Sequence, residues 1–179
     1  SSDVCSSDLI GLINTLGPIG GAIFGFFYAP IVITGMHHSF TAVETQLLAD
    51  IATTGGSFIF PVAAMSNVAQ GAAALSVLLI LKKDNKMKGI ASASGISALL
   101  GITEPAIFGV NLKLRYPFYG AMIGSGVSSA YIMLTKVLAL APGAAGLPGI
   151  ISIRPDSMIN YIIPGKIGRA HVWTPVTSG

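Results

Sequence analysis

Ile10–Thr34 runs for twenty-five residues without a single charged side chain. About 20 such residues span the hydrocarbon core of a bilayer. Gly17-Pro18 and Pro30 interrupt this run. Within a membrane bundle, neighbouring helices can satisfy the backbone groups that such breaks release. The rest of the chain agrees. Only 9% of its 179 residues are Asp, Glu, Lys or Arg, and 52% are hydrophobic. Soluble domains carry about 25% charge, because their surface must face water. The expectation is an all-α integral membrane protein, and an apolar soluble α/β core is the weaker alternative. The net charge of +3 is small, and no basic stripe with interleaved aromatics is visible, which excludes nucleic acid as a partner class.

Both ends read as foreign. Residues 167–174 can be encoded by ATC GGA AGA GCA CAC GTC TGA ACT, with TGA read as Trp173. The reverse complement translates as Ser1–Asp8 in order. Residues 1–9 and 166–179 are therefore expected to be adapter-derived. The native part, 10–165, is expected to be cut from a longer gene. Cys5, the sole cysteine, lies in the suspect segment and carries no redox, metal or nucleophile argument.

Further spans are expected over 57–81, 89–110 and 119–141. Pro61 and Ser66-Asn67 are expected to interrupt the first of these, and Thr41–Ile51 reads as a short helix. Lys82–Lys88 holds four lysines in seven residues at the end of a span, which marks a cytoplasmic loop. Asn111–Phe118 reads as an interfacial connector. Gly124-Ser125-Gly126 and the small residues 91–95 suit close helix contacts. Pro142–Pro164 reads as loop plus the start of another apolar element.

Chemistry concentrates at a few polar positions. Glu104 sits in Gly101-Ile102-Thr103-Glu104-Pro105, where glycine and proline predict a broken helix or re-entrant hairpin. An ionisable group at membrane depth costs about 2.5–3.5 kcal/mol on insertion scales. Exposed amides at a helix break would help to keep it charged. A helix-terminating acid at a water interface is the plainer alternative. His37 and His38, beside Ser39 and ahead of Glu44, form a second polar cluster suited to proton transfer or hydrogen bonding. Adjacent histidines share no helix face, so a metal is not expected there, and no cofactor is indicated. Asn67 and Gln70 are either interhelical hydrogen-bonding groups or polar ligand contacts.

These motifs together resemble the enzyme IIC domain of the glucose-superfamily phosphotransferase permeases. GITE at 101–104 is similar to that family's signature. PAIFGVNLKLRYPF at 105–118 and GMHHSF at 35–40 resemble its sucrose branch, and SNVAQG at 66–71 matches a further family stretch. GLPGIISI at 146–153 also resembles trehalose carriers. The resemblance covers nearly all of 10–165. It implies a polytopic helix bundle with re-entrant hairpins in the bacterial cytoplasmic membrane, homodimeric at full length. It implies a disaccharide substrate, sucrose first and trehalose next, phosphorylated by a phosphocysteine on an enzyme IIB domain that is absent from this chain. By the same resemblance Glu104 and His37 are the catalytic candidates. His37, His38, Thr103, Glu104, Asn67 and Gln70 are the substrate-binding ones. The competing classes are a proton-coupled secondary sugar transporter and a non-transporting anchor.

Two outcomes follow. Resequencing the source locus should fail to find residues 1–8 and 167–174 in uninterrupted genomic DNA; finding both would refute the adapter origin. In a full-length permease carrying this segment, an Asn85→Cys thiol should resist an impermeant reagent applied outside intact cells. Labelling from outside would reverse the cytoplasmic assignment of the lysine loop.

Overall fold

Helices account for nearly all regular structure in the computed structural model, which describes residues 11, 15–49, 56–80, 84–141, 145–153, 155–164 and 166. The suspect end segments and Lys82-Lys83 lie almost wholly outside the described residues. The main helices are α1 (Pro18–Ile33), α2 (His37–Ala49), α3 (Ile59–Ile80) and α4 (Asn85–Leu99). There follow the short α5 (Glu104–Ala106), a π-helical turn (Ile107–Asn111), α6 (Leu112–Leu114) and the long α7 (Tyr116–Leu134). Two 3-10 turns, Leu147–Ser152 and Pro155–Ser157, lead into a helix over 158–164.

The element α3 is the axis of the fold. Residues 59–74 are buried without exception, so the helix has no lipid or water face over four turns. A helix apolar all round belongs inside a protein or a membrane. Pro61 does not interrupt it, contrary to expectation. Proline in the first turn removes an N–H that has no intrahelical partner anyway. Helices α1, α4 and α7 pack against α3, and α1 packs along α7.

The α1–α7 contact rests on small residues, as the Gly124-Ser125-Gly126 pattern predicts. A Cβ added at Gly25 would collide with the Ser129 side chain and come within 2.9 Å of the Ser125 carbonyl. Ser125 Oγ donates to Gly25 O at 2.7 Å. The outward faces are apolar: Ile19, Ile23 and Phe27 recur every fourth residue on α1, and Tyr119, Ile123 and Val127 do so on α7, all exposed. An apolar face of this extent marks a membrane or protein contact.

The expected spans fare unequally. Among the described residues one helix, Ile59–Ile80, is by itself long and apolar enough to cross a membrane. Pro18–Ile33 and His38–Gln46 qualify together only as a pair bent by 119°. Gly17, with φ 54°, starts α1 at Pro18, leaving 16 residues, or about 24 Å at 1.5 Å per residue. The 89–110 run breaks at Gly101, and α7 stops at Leu134, ahead of Lys136 with φ 49°. The lysine loop is shorter than expected because Asp84 caps α4, accepting from Met87 N at 3.0 Å.

Three distant segments meet at one end of α3. Ser57 and Ala139 exchange backbone hydrogen bonds of 3.0 and 2.9 Å, and Ala139 also bridges to Ile153.

Glycine at the α1–α7 crossing should matter more than the hydrogen bond beside it. Gly25→Ala forces a backbone shift, at about 1–3 kcal/mol for overpacking. Ser125→Ala loses an interhelical hydrogen bond of about 0.6 kcal/mol. Thermal unfolding of the detergent-solubilised full-length protein should fall further for Gly25→Ala. The opposite order would show that close approach does not set this interface.

Candidate functional site

The GITEP segment is a helix break, as its composition predicts. Helix α4 ends in a Schellman motif: Gly101 N donates to Ala98 O at 3.0 Å and Ile102 N to Ser97 O at 3.0 Å. That motif needs a left-handed residue after the helix, and Gly101 supplies it with φ 108°. Thr103 then starts the next helical stretch, its carbonyl accepting from Ile107 N at 2.9 Å. Pro105 stands in the first turn, where a missing N–H costs nothing. Thr103 is buried and Glu104 exposed. The carboxylate of Glu104 is thus presented at the break itself, on an element packed against α3 and α4.

Three residues later the chain loops wide. Ile107–Asn111 is π-helical, and Leu112 N reaches back to Ile107 O. Such turns insert one extra residue into a helix and recur at functional sites. In an unbroken helix, residues seven apart lie on nearly one face. Here Glu104 is exposed while Asn111 is 0% exposed.

Asn111 is held by α3. Its Nδ2 donates to Gln70 Oε1 at 2.6 Å and to Gln70 O at 3.0 Å. The orientation is forced, because a backbone carbonyl only accepts. Asn111 must therefore aim its nitrogen at Gln70, and Gln70 must answer with its oxygen. Gln70 Nε2 and Asn111 Oδ1 remain buried with no partner among the described residues. Two hydrogen bonds contribute about 0.5–1.5 kcal/mol each, while two buried unpaired polar atoms cost about 1–3 kcal/mol each. The pair therefore adds nothing net to stability, and an apolar pair of the same shape would fold as well.

Asn67, one turn earlier on α3, makes a second long-range link. Its Nδ2 donates to Ala145 O at 2.5 Å, and Tyr161 Oη donates to Gly146 O at 2.8 Å. The Ala145-Gly146 segment lies directly on the break. A Cβ at Gly101 would stand 3.2 Å from Ala145 N, and one at Gly146 would stand 2.8 Å from Gly101 N.

The histidine cluster lies on a different element. Thr34, Gly35 and Met36 turn the chain from α1 into α2, which His37 begins. His38 is exposed, and the side chain of His37 lies outside the described residues. Glu44, on the same helix, takes a long 3.5 Å contact from Ser57 Oγ. Helix α2 packs on α1 and α3, and α5 packs on α3 and α4, so α3 is the common neighbour of the histidine helix and of Glu104. Of the six candidate ligands, Thr103 and Glu104 lie together on the break. Asn67 and Gln70 stand behind it, hydrogen-bonded through Asn67 Nδ2 and Gln70 Oε1. Among the described residues no three His, Cys, Asp or Glu side chains gather as metal ligands. Sequence reasoning missed Asn111 and Tyr161. A lone amide in the otherwise apolar run IFGVNL was the available signal for Asn111. Tyr161 had none.

The family model described as Phosphotransferase system, EIIC matches residues 2–125. The chain belongs to the EIIC family. Relatives of this EIIC segment are described as sucrose- or trehalose-specific components. It is 68% identical over 156 residues to a Vibrio alginolyticus protein described as a PTS system sucrose-specific EIIBC component, covering 87% of this chain and 32% of that one. A sucrose-specific EIIBC component of Pasteurella multocida is 64% identical over 174 residues, covering 97% of this chain and 36% of the relative. A trehalose-specific EIIBC component of Bacillus subtilis is 51% identical over 151 residues, covering 84% and 32%. The chain thus spans about a third of the length of these relatives. No solved structure matches it.

Proposed function

We propose that this EIIC segment forms the sugar-binding part of a phosphotransferase-system permease that takes up a disaccharide, sucrose first and trehalose second, and presents it for phosphorylation. The observation that carries this reading is Glu104. It is a carboxylate exposed at a broken helix in a chain whose relatives are described as sucrose-specific EIIBC components. Irregular backbone at membrane depth is tolerated only where protein or a watery cavity meets it, and an ionisable group there marks a substrate path. The carboxylate accepts hydrogen bonds from sugar hydroxyls, including the one to be phosphorylated. Thr103 backs it from the buried side, and His37 or His38 contributes from the α2 side.

In phosphoryl transfer the protein's work is positioning and charge stabilisation. The acceptor hydroxyl must stand in line with the incoming phosphoryl group. Glu104 fixes that oxygen and draws on its proton as the new O–P bond forms and the donor's S–P bond breaks, the donor cysteine leaving as its thiolate. The donor is a phosphocysteine of an enzyme IIB domain, consistent with the EIIBC descriptions of the relatives. The setting is a bacterial cytoplasmic membrane, crossed several times by a full-length homodimer with re-entrant hairpins. The apolar outward faces of α1 and α7 support the lipid contact.

Glu104→Gln keeps size and hydrogen-bonding capacity but removes the charge. A hydrogen bond to a charged group is worth about 1.5–3 kcal/mol. Sugar binding or phosphorylation by the full-length permease should therefore fall about tenfold to a hundredfold. Normal binding with lost phosphorylation assigns Glu104 to the acceptor hydroxyl. Unchanged binding and phosphorylation in a folded, inserted protein would leave Glu104 as a helix-terminating acid. Recovery of free sugar rather than sugar phosphate inside vesicles would favour proton-coupled transport instead.

A further inference from the structure

We propose that Asn67 and Gln70, with Asn111 as the partner of Gln70, are positioning residues that bracket the Glu104 turn from α3; this rests on the reading of Glu104 as the sugar ligand. Asn67 and Gln70 stand three apart on α3 and so face the same way. They hold the two sides of one broken element. On the near side, Asn67 donates to Ala145 O, and Ala145-Gly146 lies against Leu99–Gly101. On the far side, Gln70 takes the Asn111 amide at the last residue of the π turn. Between the two holds lie Thr103 and Glu104, and no hydrogen bond ties the Glu104 carboxylate itself to α3 among the described residues. The carboxylate is aimed through the backbone.

The chemistry of the Gln70–Asn111 pair points the same way. Both side chains are essentially inaccessible, at 1% and 0% exposed. Each leaves one polar atom unpaired. A sugar contact would require access, and a stabilising contact would leave no orphaned atoms. What the pair does supply is a directional constraint. It fixes the rotation of the π turn about its axis, and hence the direction in which residue 104 leaves it. An apolar pair would fill the same space without fixing that angle.

The test uses a full-length permease carrying this segment, in membrane vesicles supplied with the phosphorylated donor proteins. The apolar pair Gln70→Met with Asn111→Leu should accumulate and unfold thermally like the wild type. Its kcat for sugar phosphorylation should fall about a hundredfold, the scale of a 1 Å misplacement, with a much smaller change in KM. The exchanged pair Gln70→Asn with Asn111→Gln, which keeps an amide facing an amide, should recover at least tenfold of that loss. In a Glu104→Gln background the apolar pair should cost little more, because groups that act through one another are not additive. Full additivity there, or wild-type kcat in the apolar pair, would overturn the proposal. Should the apolar pair fail to accumulate, Gln70→Met alone carries the same comparison, and a wild-type kcat would again overturn it. A Glu104→Gln variant that phosphorylates normally would instead refute the reading of Glu104 itself. That result is separable from an inactive Glu104→Gln beside an active apolar pair, which sinks only the bracket.

Discussion

Among the described residues α1, α2, α4, α5 and α7 all pack on α3, and α3 is possible only because it is covered on every side over residues 59–74. A helix with no outward face over residues 59–74 can carry polar side chains only where a partner meets them. That condition turns Asn67 and Gln70 from surface decoration into points of attachment. It also fixes what packs around them. The flank at Gly71 must accept α4 at backbone distance, since a Cβ there would stand 2.9 Å from Gly95 O. The broken element must then pass close enough for Asn111 to reach a main-chain oxygen.

A continuous helix and a broken one therefore divide the labour. The continuous helix keeps its own backbone hydrogen bonds and spends its side-chain amides on others. The broken stretch, 99–116, gives up regular bonding at Gly101, at the π turn and at Arg115, whose φ is 62°. It regains support from α3 and from the 145–146 segment. Such a stretch can present a carboxylate at a place where an unbroken helix would present only its flank. Backbone polar groups left unpaired in hydrocarbon cost several kcal/mol each, so breaks of this kind require the buttressing seen around them.

The local features were the legible ones. Gly101 and Pro105 announce a break because their backbone preferences act within a few residues, and the small residues at 124–126 announce a close helix crossing for the same reason. The helical character of α2 was read from 41–51, though its start at His37 was not. What escaped depends on distance along the chain. Asn67 meets Ala145 across 78 residues, and Asn111 meets Gln70 across 41. Nothing in either local sequence names the other. In the sequence Pro61 reads as an interior proline, whereas it falls in the first turn of α3. The π turn carries no compositional mark of its own.

The bridges at Ala139 set an order of assembly. Ala139 joins Ser57 on one side and Ile153 on the other. The first link cannot exist until residue 139 has been made, nor the second until residue 153 has been. The near end of α3 is therefore made early and closed late. Through that interval its first turn, Phe58 to Val62, stands without these neighbours. The stretch 139–153 thus acts as a latch on a helix that precedes it in the chain, and the Glu104 turn becomes fully supported only when that latch has closed.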